Sequence, residues 1–316
     1  MDDRIRLGVS ACLLGEKVRY DGGHRRDPFI TGTLSQYVEC VPVCPEVECG
    51  LPVPREPMRL EGDPASPRLK TINTRQDRTG RMLAWCAKRV EELEALDLWG
   101  FIFKKGSPSS GMERVKVYDD KGKPSRRGVG MFARVFMEHF PLLPVEEDER
   151  LYDPKMREHF VEALFALKRW RDTLNARPTT RGFIEFHTRH KLQLLAHGRK
   201  HLALMGRLVA SIKDYAPDDF RPQYQTLLME ALRLKTTPRK HAHVLQHAAG
   251  FLREFLSPDE ESELLEVVDL YRQGALPLIV PLTLIRHHAG KFEVSYLQEQ
   301  YYLNPHPVEL QLRYHA

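Results

Sequence analysis

The amino-acid sequence predicts an α/β N-terminal domain with a mostly parallel, Rossmann-like sheet, followed by an all-α C-terminal domain. Short apolar runs alternate with helix-spaced segments up to about residue 140, which is the pattern of βαβ units. Beyond residue 154, apolar residues recur at helical spacing almost without a break. A polar stretch over 141–154, containing four consecutive acidic residues, separates the two patterns as a linker. Because 316 residues is long for one domain, we predict two, over 1–145 and 155–316.

In the first domain, each predicted element rests on a short apolar run or helical periodicity bounded by turn residues. Strands are predicted over 6–13, 39–44, 98–103 and 115–118, and helices over 29–38, 81–96 and 130–140. The helix over 81–96 places Met82, Cys86, Val90 and Leu93 three or four residues apart. Residues 50–75, rich in Pro, Gly and Arg, are predicted to form a long functional loop, and 106–111 a tight loop.

The second domain is predicted to be helical because its apolar residues form faces. Phe160, Leu164, Leu167 and Trp170 are one such face. Ser257 is a predicted N-cap with proline at the first helical position. The apolar segment 276–285 carries two prolines, so its helix is predicted to be kinked or to start late.

The composition excludes several classes of protein. Hydrophobic residues make up 42% and charged residues 29%, which argues against disorder, collagen and disulfide miniproteins. There is no run of 18 apolar residues, so no transmembrane helix is predicted. The opening Met1-Asp2-Asp3 lacks the basic region of a signal peptide, and we therefore expect a cytoplasmic protein. The net charge of +5 permits a polyanionic partner.

The cysteines indicate a site. All five lie in the first 86 residues, and an odd number argues against a disulfide framework. Cys12, Cys44 and Cys49 lie at the predicted ends of two strands, where a parallel sheet binds its ligands. Three thiolates without an obvious fourth suit an iron–sulfur cluster with one open iron, which can act as a Lewis acid. Cys40 and Cys86 are interpreted as packed residues.

Several ordered motifs resemble the thiouracil/thiouridine desulfidase family. In the first half, over about residues 5–140, they are Ser10-Ala11-Cys12-Leu13, Val43-Cys44-Pro45-Glu46, Gly50-Leu51-Pro52 with Pro54-Arg55, and Lys105-Gly106-Ser107-Pro108-Ser109-Ser110-Gly111 followed by Arg114-Val115-Lys116-Val117-Tyr118. The second half resembles the helical domain that is fused to this domain in the longer, tRNA-acting members. Its matching segments are Phe186-His187-Thr188-Arg189-His190-Lys191 and the segment from Pro238 to His247.

The resemblance implies a 4Fe-4S cluster held by three cysteines, whose fourth iron captures the thiocarbonyl sulfur of a thiolated pyrimidine. Cys12 and Cys44 match two of the family's ligand positions. At the third position this chain has Ser110 instead of cysteine. Our hypothesis is that Cys49 supplies the missing thiolate. The alternatives are a labile cluster on two thiolates or weak ligation by Ser110.

The expected chemistry is a net hydrolysis of the carbon–sulfur bond. Glu46, beside a ligand, is the predicted base that takes the proton from water, although it is also placed to be a helix N-terminal carboxylate. Ser107 is predicted to hydrogen-bond the ring or the developing charge. The remaining predicted substrate contacts are Ser109, Ser110, His24, Arg25 and Arg26.

Three functions remain open at this point. The leading one is removal of sulfur from 4-thiouridine in tRNA, giving uridine and sulfide, with the helical domain binding the tRNA. The second is the same chemistry on free thiouracil or another thiopyrimidine. The third is a nucleic-acid-binding redox regulator. Histidine pairs such as His197 with His201 and His243 with His247 are spaced for a metal, but we interpret them as core or nucleic-acid-facing residues.

Overall fold

The computed structural model describes residues 4–307, 310 and 312–313, so Met1–Asp3, which bear on the signal-peptide prediction, lie outside the described residues. The chain divides into two compact units, Met1–Asp153 and Pro154–Ala316. None of the described helices combines the length and the apolarity that crossing a lipid bilayer requires.

The first unit alternates strands and helices as predicted for an α/β domain. Its elements in chain order are β1 (Ile5–Ser10), β2 (Val38–Val43), the single turn α1 (Pro45–Glu48), β3 (Met58–Glu61), β4 (Arg68–Thr71), α2 (Thr79–Ala95), β5 (Gly100–Phe103), β6 (Val115–Tyr118), β7 (Pro124–Gly128), α3 (Met131–His139) and β8 (Val145–Glu147). Residues 29–36 form an irregular π turn and 3-10 turn rather than the predicted regular helix.

The main sheet is four-stranded and parallel throughout, in the order β2-β1-β5-β8. Its central strand β1 is apolar because it is covered on both faces, and Leu7 and Val9 are fully buried. Gly8 pairs with Phe101 on β5, and a Cβ at residue 8 would lie 2.3 Å from a carbon of the Phe101 ring. Glycine at this position therefore lets the ring of Phe101 lie against the strand.

A second, mixed sheet occupies part of the chain that was predicted to be loop. It has the order β4-β3-β6-β7, with β3 and β4 inside the predicted loop 50–75 and β7 beyond the predicted turn after residue 118. These strands are short and rich in charge, and residues 124–128 read Pro-Ser-Arg-Arg-Gly. Their exposed faces hide the apolar signal on which strand prediction depends.

The predicted linker over 141–154 contains an edge strand of the main sheet, and three of its acidic residues, Glu146, Glu147 and Asp148, are buried. Glu147 accepts a hydrogen bond from the backbone N–H of Met112 at 2.9 Å. Asp148 accepts from the backbone N–H of Lys105 at 2.8 Å and pairs with the ammonium of Lys104 at 2.7 Å. The acidic run is therefore not a solvated spacer, because it satisfies donors of the loop that follows β5.

In its described part, the second unit is helical. Its helices are α4 (Pro154–Ala176), α5 (Thr180–His197), α6 (Arg199–Ala210), α7 (Pro217–Arg233), α8 (Pro238–Gly250), α9 (Pro258–Arg272), α10 (Ile279–Lys291) and the single turn α11 (Ser295–Gln298). Ser257 caps α9 in a capping box, as predicted for this N-cap. The α10 helix starts late, with Pro281 in its first turn. Trp170 is fully buried and stacks on Tyr224 with ring centroids 4.7 Å apart.

Several histidines of the second unit are buried in their neutral form. Nδ1 of His190 bonds the carbonyl of Phe186, while its Nε2 accepts from Arg169 at 3.1 Å, which only the neutral ring can do. Burial, and after it Arg169, hold the pKa of His190 well below its usual value. Burial likewise lowers the pKa of His187 to about 4. These rings support the interpretation that the histidines of α5 are core residues.

Acidification is expected to destabilise the second unit through these rings. An unfolded histidine titrates near pH 6.5, so the unfolded chain binds the proton first, and the stabilisation present above that pH is lost as the pH falls toward 4. At pH 5 this amounts to roughly 2 kcal/mol for His187. We expect urea midpoints, followed by circular dichroism, to fall less between pH 7.5 and pH 5 in His187→Gln than in the parent. His247→Gln, at an exposed histidine of α8, should show the same fall in urea midpoint between pH 7.5 and pH 5 as the parent. An equal fall in all three proteins would contradict the prediction.

Candidate active site

A cavity of about 410 Å³ opens at the carboxyl edge of the parallel sheet. The segments that follow β1, β2 and β5 form its walls, and they are joined by the loop around Arg19 and by the chain around Arg55. Convergence at this edge is the consequence of the parallel strand directions. Cys12, Cys44, Glu46, Ser107 and Ser110 all line the cavity.

The thiols of Cys12 and Cys44 lie at this cavity because of the turns that follow their strands. Cys12 belongs to a single 3-10 turn after β1, which ends at Gly15 in the left-handed region with φ 97°. Cys44 is the N-cap of α1, and its Sγ lies 3.6 Å from a carboxylate oxygen of Glu46. The Sγ of Cys12 has no hydrogen-bond partner among the residues that the structure describes.

Burial and nearby charges set the acidity of these thiols. Burial raises the pKa of Cys12 to about 11, and Lys104 is the strongest opposing influence. Burial, followed by the carboxylate of Glu46, raises the pKa of Cys44 to about 12, while Arg55 acts in the opposite direction. Both groups are therefore thiols at neutral pH in the free protein. The surrounding cations would favour the thiolate forms once a metal replaced the protons.

Cys49 is placed differently from the other two predicted ligands. It does not line the cavity, and its thiol donates to the backbone carbonyl of Glu46 at 3.3 Å. Its backbone N–H bonds the carbonyl of Pro45, so the residue is the C-cap of the single turn α1. Within the described residues, no three cysteine, histidine or carboxylate side chains are assembled as a metal-ligand set.

Glu46 is held from two sides. Its Oε1 accepts a hydrogen bond of 2.5 Å from Ser109, and its Oε2 lies 3.7 Å from Nη2 of Arg55. Because the single proton of Ser109 is given to Glu46, the 3.0 Å contact between the Ser107 and Ser109 hydroxyls requires Ser107 as the donor. Ser107 also accepts from the backbone N–H of Ser110 at 3.1 Å. The hydroxyls thus form a chain that runs from Ser107 through Ser109 to Glu46.

The structure separates the predicted substrate contacts into two groups. Ser107, Ser110 and Arg25 line the cavity. Ser109 is fully buried and its hydroxyl donates to the carboxylate of Glu46, so it does not line the cavity. His24 and Arg26 do not line it either, because the ring of His24 accepts from the backbone N–H of Arg26 in a local turn.

Sequence reasoning missed two cations of the cavity wall, Arg19 and Lys104. Lys104 directly follows β5, so its position at a strand end was the available indication. Arg55, which belongs to one of the motifs that carry the family resemblance, donates to the carbonyl of Val18 at 2.9 Å and lies beside Glu46. Arg19 has no comparable sequence signature.

Comparison with known proteins gives two family matches. A family model described as 2-thiouracil desulfurase matches residues 7–148, and one described as a protein of unknown function (DUF1722) matches residues 191–307. The chain is 33% identical over 137 residues to the uncharacterized protein YbgA of Escherichia coli strain K12, across 43% of this chain and 81% of that protein. A solved structure titled 4Fe-4S-dependent thiouracil desulfidase TudS is 26% identical, with a TM-score of 0.39, across 48% of this chain and 95% of that one.

Proposed function

Because the N-terminal unit of this chain belongs to the 2-thiouracil desulfurase family, we propose that the protein removes the sulfur of a thiolated pyrimidine base. The observation that carries the proposal is the meeting of two buried thiols, Cys12 and Cys44, with the carboxylate of Glu46 in one cavity. In the net reaction, water breaks the C=S bond, the ring carbon gains the oxygen, and sulfur leaves as hydrogen sulfide. The balance requires no electron donor.

The proposed cofactor for this chemistry is a 4Fe-4S cluster, and the cavity wall presents two of the three thiols that it would need. Cys12 offers a thiol without a hydrogen-bond partner among the described residues, and Cys44 lines the same cavity. Arg19, Arg55 and Lys104 supply positive charge that suits a cluster with anionic ligands. When bound, the cluster supplies an open iron that acts as a Lewis acid on the thione sulfur.

We propose Cys49 as the third ligand, since a thiolate is the ligand that iron–sulfur clusters take in proteins. To reach the cavity, its thiol must give up the hydrogen bond to the carbonyl of Glu46. Ser110 already lines the cavity and is the competing oxygen donor. The two candidates predict different effects of substitution on iron content.

Glu46 serves as the base that receives the proton of the attacking water. Its carboxylate lies beside Cys44 in the wall of the cavity that would receive the thione, which supports this role. Ser109 orients the carboxylate, and Ser107 in turn orients Ser109. The proposed part of Ser107 is therefore to position Glu46, in addition to lining the space for the ring.

A second candidate substrate is thiolated tRNA, and a cavity in the helical unit favours it. This cavity, of about 480 Å³, lies at the first turns of α6 and α8 and has no acidic residue in its wall. Its charged residues are Arg199, Arg239, Lys240 and Arg272. Arg239 has no ion pair or hydrogen bond to a described residue, which leaves its guanidinium available to a phosphate.

The deciding experiment compares substrates on the full chain after anaerobic reconstitution with iron and sulfide. 2-Thiouracil, 4-thiouridine and tRNA carrying 4-thiouridine are offered separately, and product base and released sulfide are measured. Turnover of 2-thiouracil supports the free base as substrate, and turnover of the tRNA alone supports the second candidate. Reconstituted protein that turns over none of them would overturn the proposal in favour of a nucleic-acid-binding redox regulator.

A further inference from the structure

Two neighbouring lysines of the cavity wall are held in different ways. Each ammonium pairs with a carboxylate at 2.7 Å, Lys104 with Asp148 and Lys105 with Glu149. The side chain of Lys104 is 15% exposed and that of Asp148 is 6% exposed, whereas Lys105 and Glu149 are each about half exposed. We name the first two residues the buried pair and the other two the exposed pair. Because water screens the exposed pair, the buried pair has the stronger electrostatic effect on its surroundings.

The buried pair is fixed at the end of β1. The backbone N–H of Lys104 donates to the hydroxyl of Ser10 at 2.9 Å, and Ser10 is the last residue of β1, two residues before Cys12. One oxygen of Asp148 holds the Lys104 ammonium, and the other accepts the backbone N–H of Lys105 at 2.8 Å. These contacts hold the ammonium in place, whereas the lysine of a surface ion pair is mobile.

The buried pair gives Cys12 a different electrostatic environment from Cys44. Burial, the largest influence, raises the pKa of Cys12 to about 11, Lys104 comes next and lowers it, and Asp148 raises it more weakly than Lys104 lowers it. The net effect of the pair on Cys12 is therefore that of its positive end. For Cys44, the strongest influence after burial is the carboxylate of Glu46, which raises the pKa further.

We propose that the buried pair sets the charge balance of the iron–sulfur cluster through Cys12, with Lys104 stabilising added negative charge and Asp148 opposing it. The inference rests on the proposed cofactor and deepens the proposed function, because it names two positioning residues for the same site. A cluster with anionic ligands becomes more negative when it gains an electron, so a nearby cation favours the reduced form. The same cation would stabilise negative charge that develops on the leaving sulfur.

The test measures the one-electron reduction potential of the reconstituted cluster, because the two charges predict shifts of opposite sign. Reduction serves only as a probe of charge, since the proposed hydrolysis needs no electrons. Lys104→Gln should disfavour reduction roughly tenfold, which lowers the potential by about 59 mV. Asp148→Asn keeps an oxygen for the N–H of Lys105 but removes the negative charge, so it should raise the potential. The measurement is a titration with dithionite, followed by electron paramagnetic resonance of the reduced cluster.

The exposed pair supplies matched controls. Lys105→Gln and Glu149→Gln make the same changes of charge in a pair of the same length, and both should keep the parental potential because the pair is screened by water. Lys104→Arg, which retains the positive charge, should also stay near the parental value. Lys104→Met repeats the test, with the same expected shift, if Lys104→Gln folds poorly.

The potentials separate this inference from the proposed function. Parental potentials in Lys104→Gln and Asp148→Asn, or shifts of the same sign in both, would overturn the role of the buried pair and leave the desulfidase standing. Opposite shifts in a protein that releases no sulfide from any substrate would support the pair while removing the desulfidase. A parent protein that retains no cluster after reconstitution would overturn both.

Discussion

Replacing Cys12 or Cys44 by serine is expected to remove nearly all cluster iron and to lower sulfide release by more than about 100-fold. Both thiols line the cavity and are the two donors on which the proposed cluster depends. The measurement is iron and sulfide content after anaerobic reconstitution, together with the visible absorbance of the cluster. Cys40→Ser is the matched control, because Cys40 lies on β2 but outside the cavity wall. Full iron content in Cys12→Ser or Cys44→Ser would remove that residue from the site.

The same measurement assigns the third ligand. If Cys49 is the ligand, Cys49→Ser loses iron while Ser110→Ala retains it. If the oxygen of Ser110 is the ligand, Ser110→Ala loses iron while Cys49→Ser retains it. In that case Ser110→Cys should also hold iron more strongly. A loss in neither variant would leave a cluster on two thiolates, which predicts rapid iron release to a chelator.

Replacing Glu46 by glutamine is expected to lower kcat by about 10²–10⁴-fold while iron content stays at the parental level. Glutamine keeps the shape of the side chain and can still accept from Ser109, but it cannot take a proton from water. KM should change little, because the lost interaction belongs to the transition state. The measurement is steady-state kinetics on whichever of the three thiolated substrates the reconstituted parent protein turns over.

A second carboxylate in the cavity wall provides the control for Glu46. Glu56 also lines the cavity, but its oxygens accept from the backbone N–H of Thr74 at 2.8 Å and from its hydroxyl at 2.6 Å. Glu56→Gln should therefore keep kcat within a few-fold of the parent. If Glu46→Gln kept the parental kcat, another group would have to be the base.

The sequence predicts three of the four strands of the main sheet, β1, β2 and β5, because their runs are mostly apolar, and it misses β8 within the acidic stretch. The runs that became β1, β2 and β5 are apolar, and their parallel directions bring Cys12, Cys44 and Ser107 to one edge. Of the second sheet, only β6 was predicted, and the other strands escape prediction because they are short and rich in charge. The direction of a side chain is not encoded in its spacing either. Cys49 lies five residues after Cys44, yet the single turn between them directs its thiol to the carbonyl of Glu46.

The acidic residues over 146–149 could not be recognised as structural from their sequence. Consecutive carboxylates usually indicate a solvated segment, because burying a charge is costly without a partner. Here each buried carboxylate has one. Glu146 pairs with Arg150 at 2.9 Å, and Asp148 with Lys104 at 2.7 Å. Only the fold brings these partners within reach, since Lys104 precedes Asp148 by 44 residues.

The edge strand β8 also dictates the order in which the active site can be completed. Asp148 fixes Lys104 and the N–H of Lys105, and both residues border the cavity. On the ribosome, β1, β2 and β5 all emerge before this carboxylate is synthesised. The loop that follows β5 can therefore be fixed in place only after Asp148 has been synthesised. For the same reason, a shortened chain that stops at residue 140 would retain Cys12, Cys44 and Glu46 but leave the loop after β5 untethered.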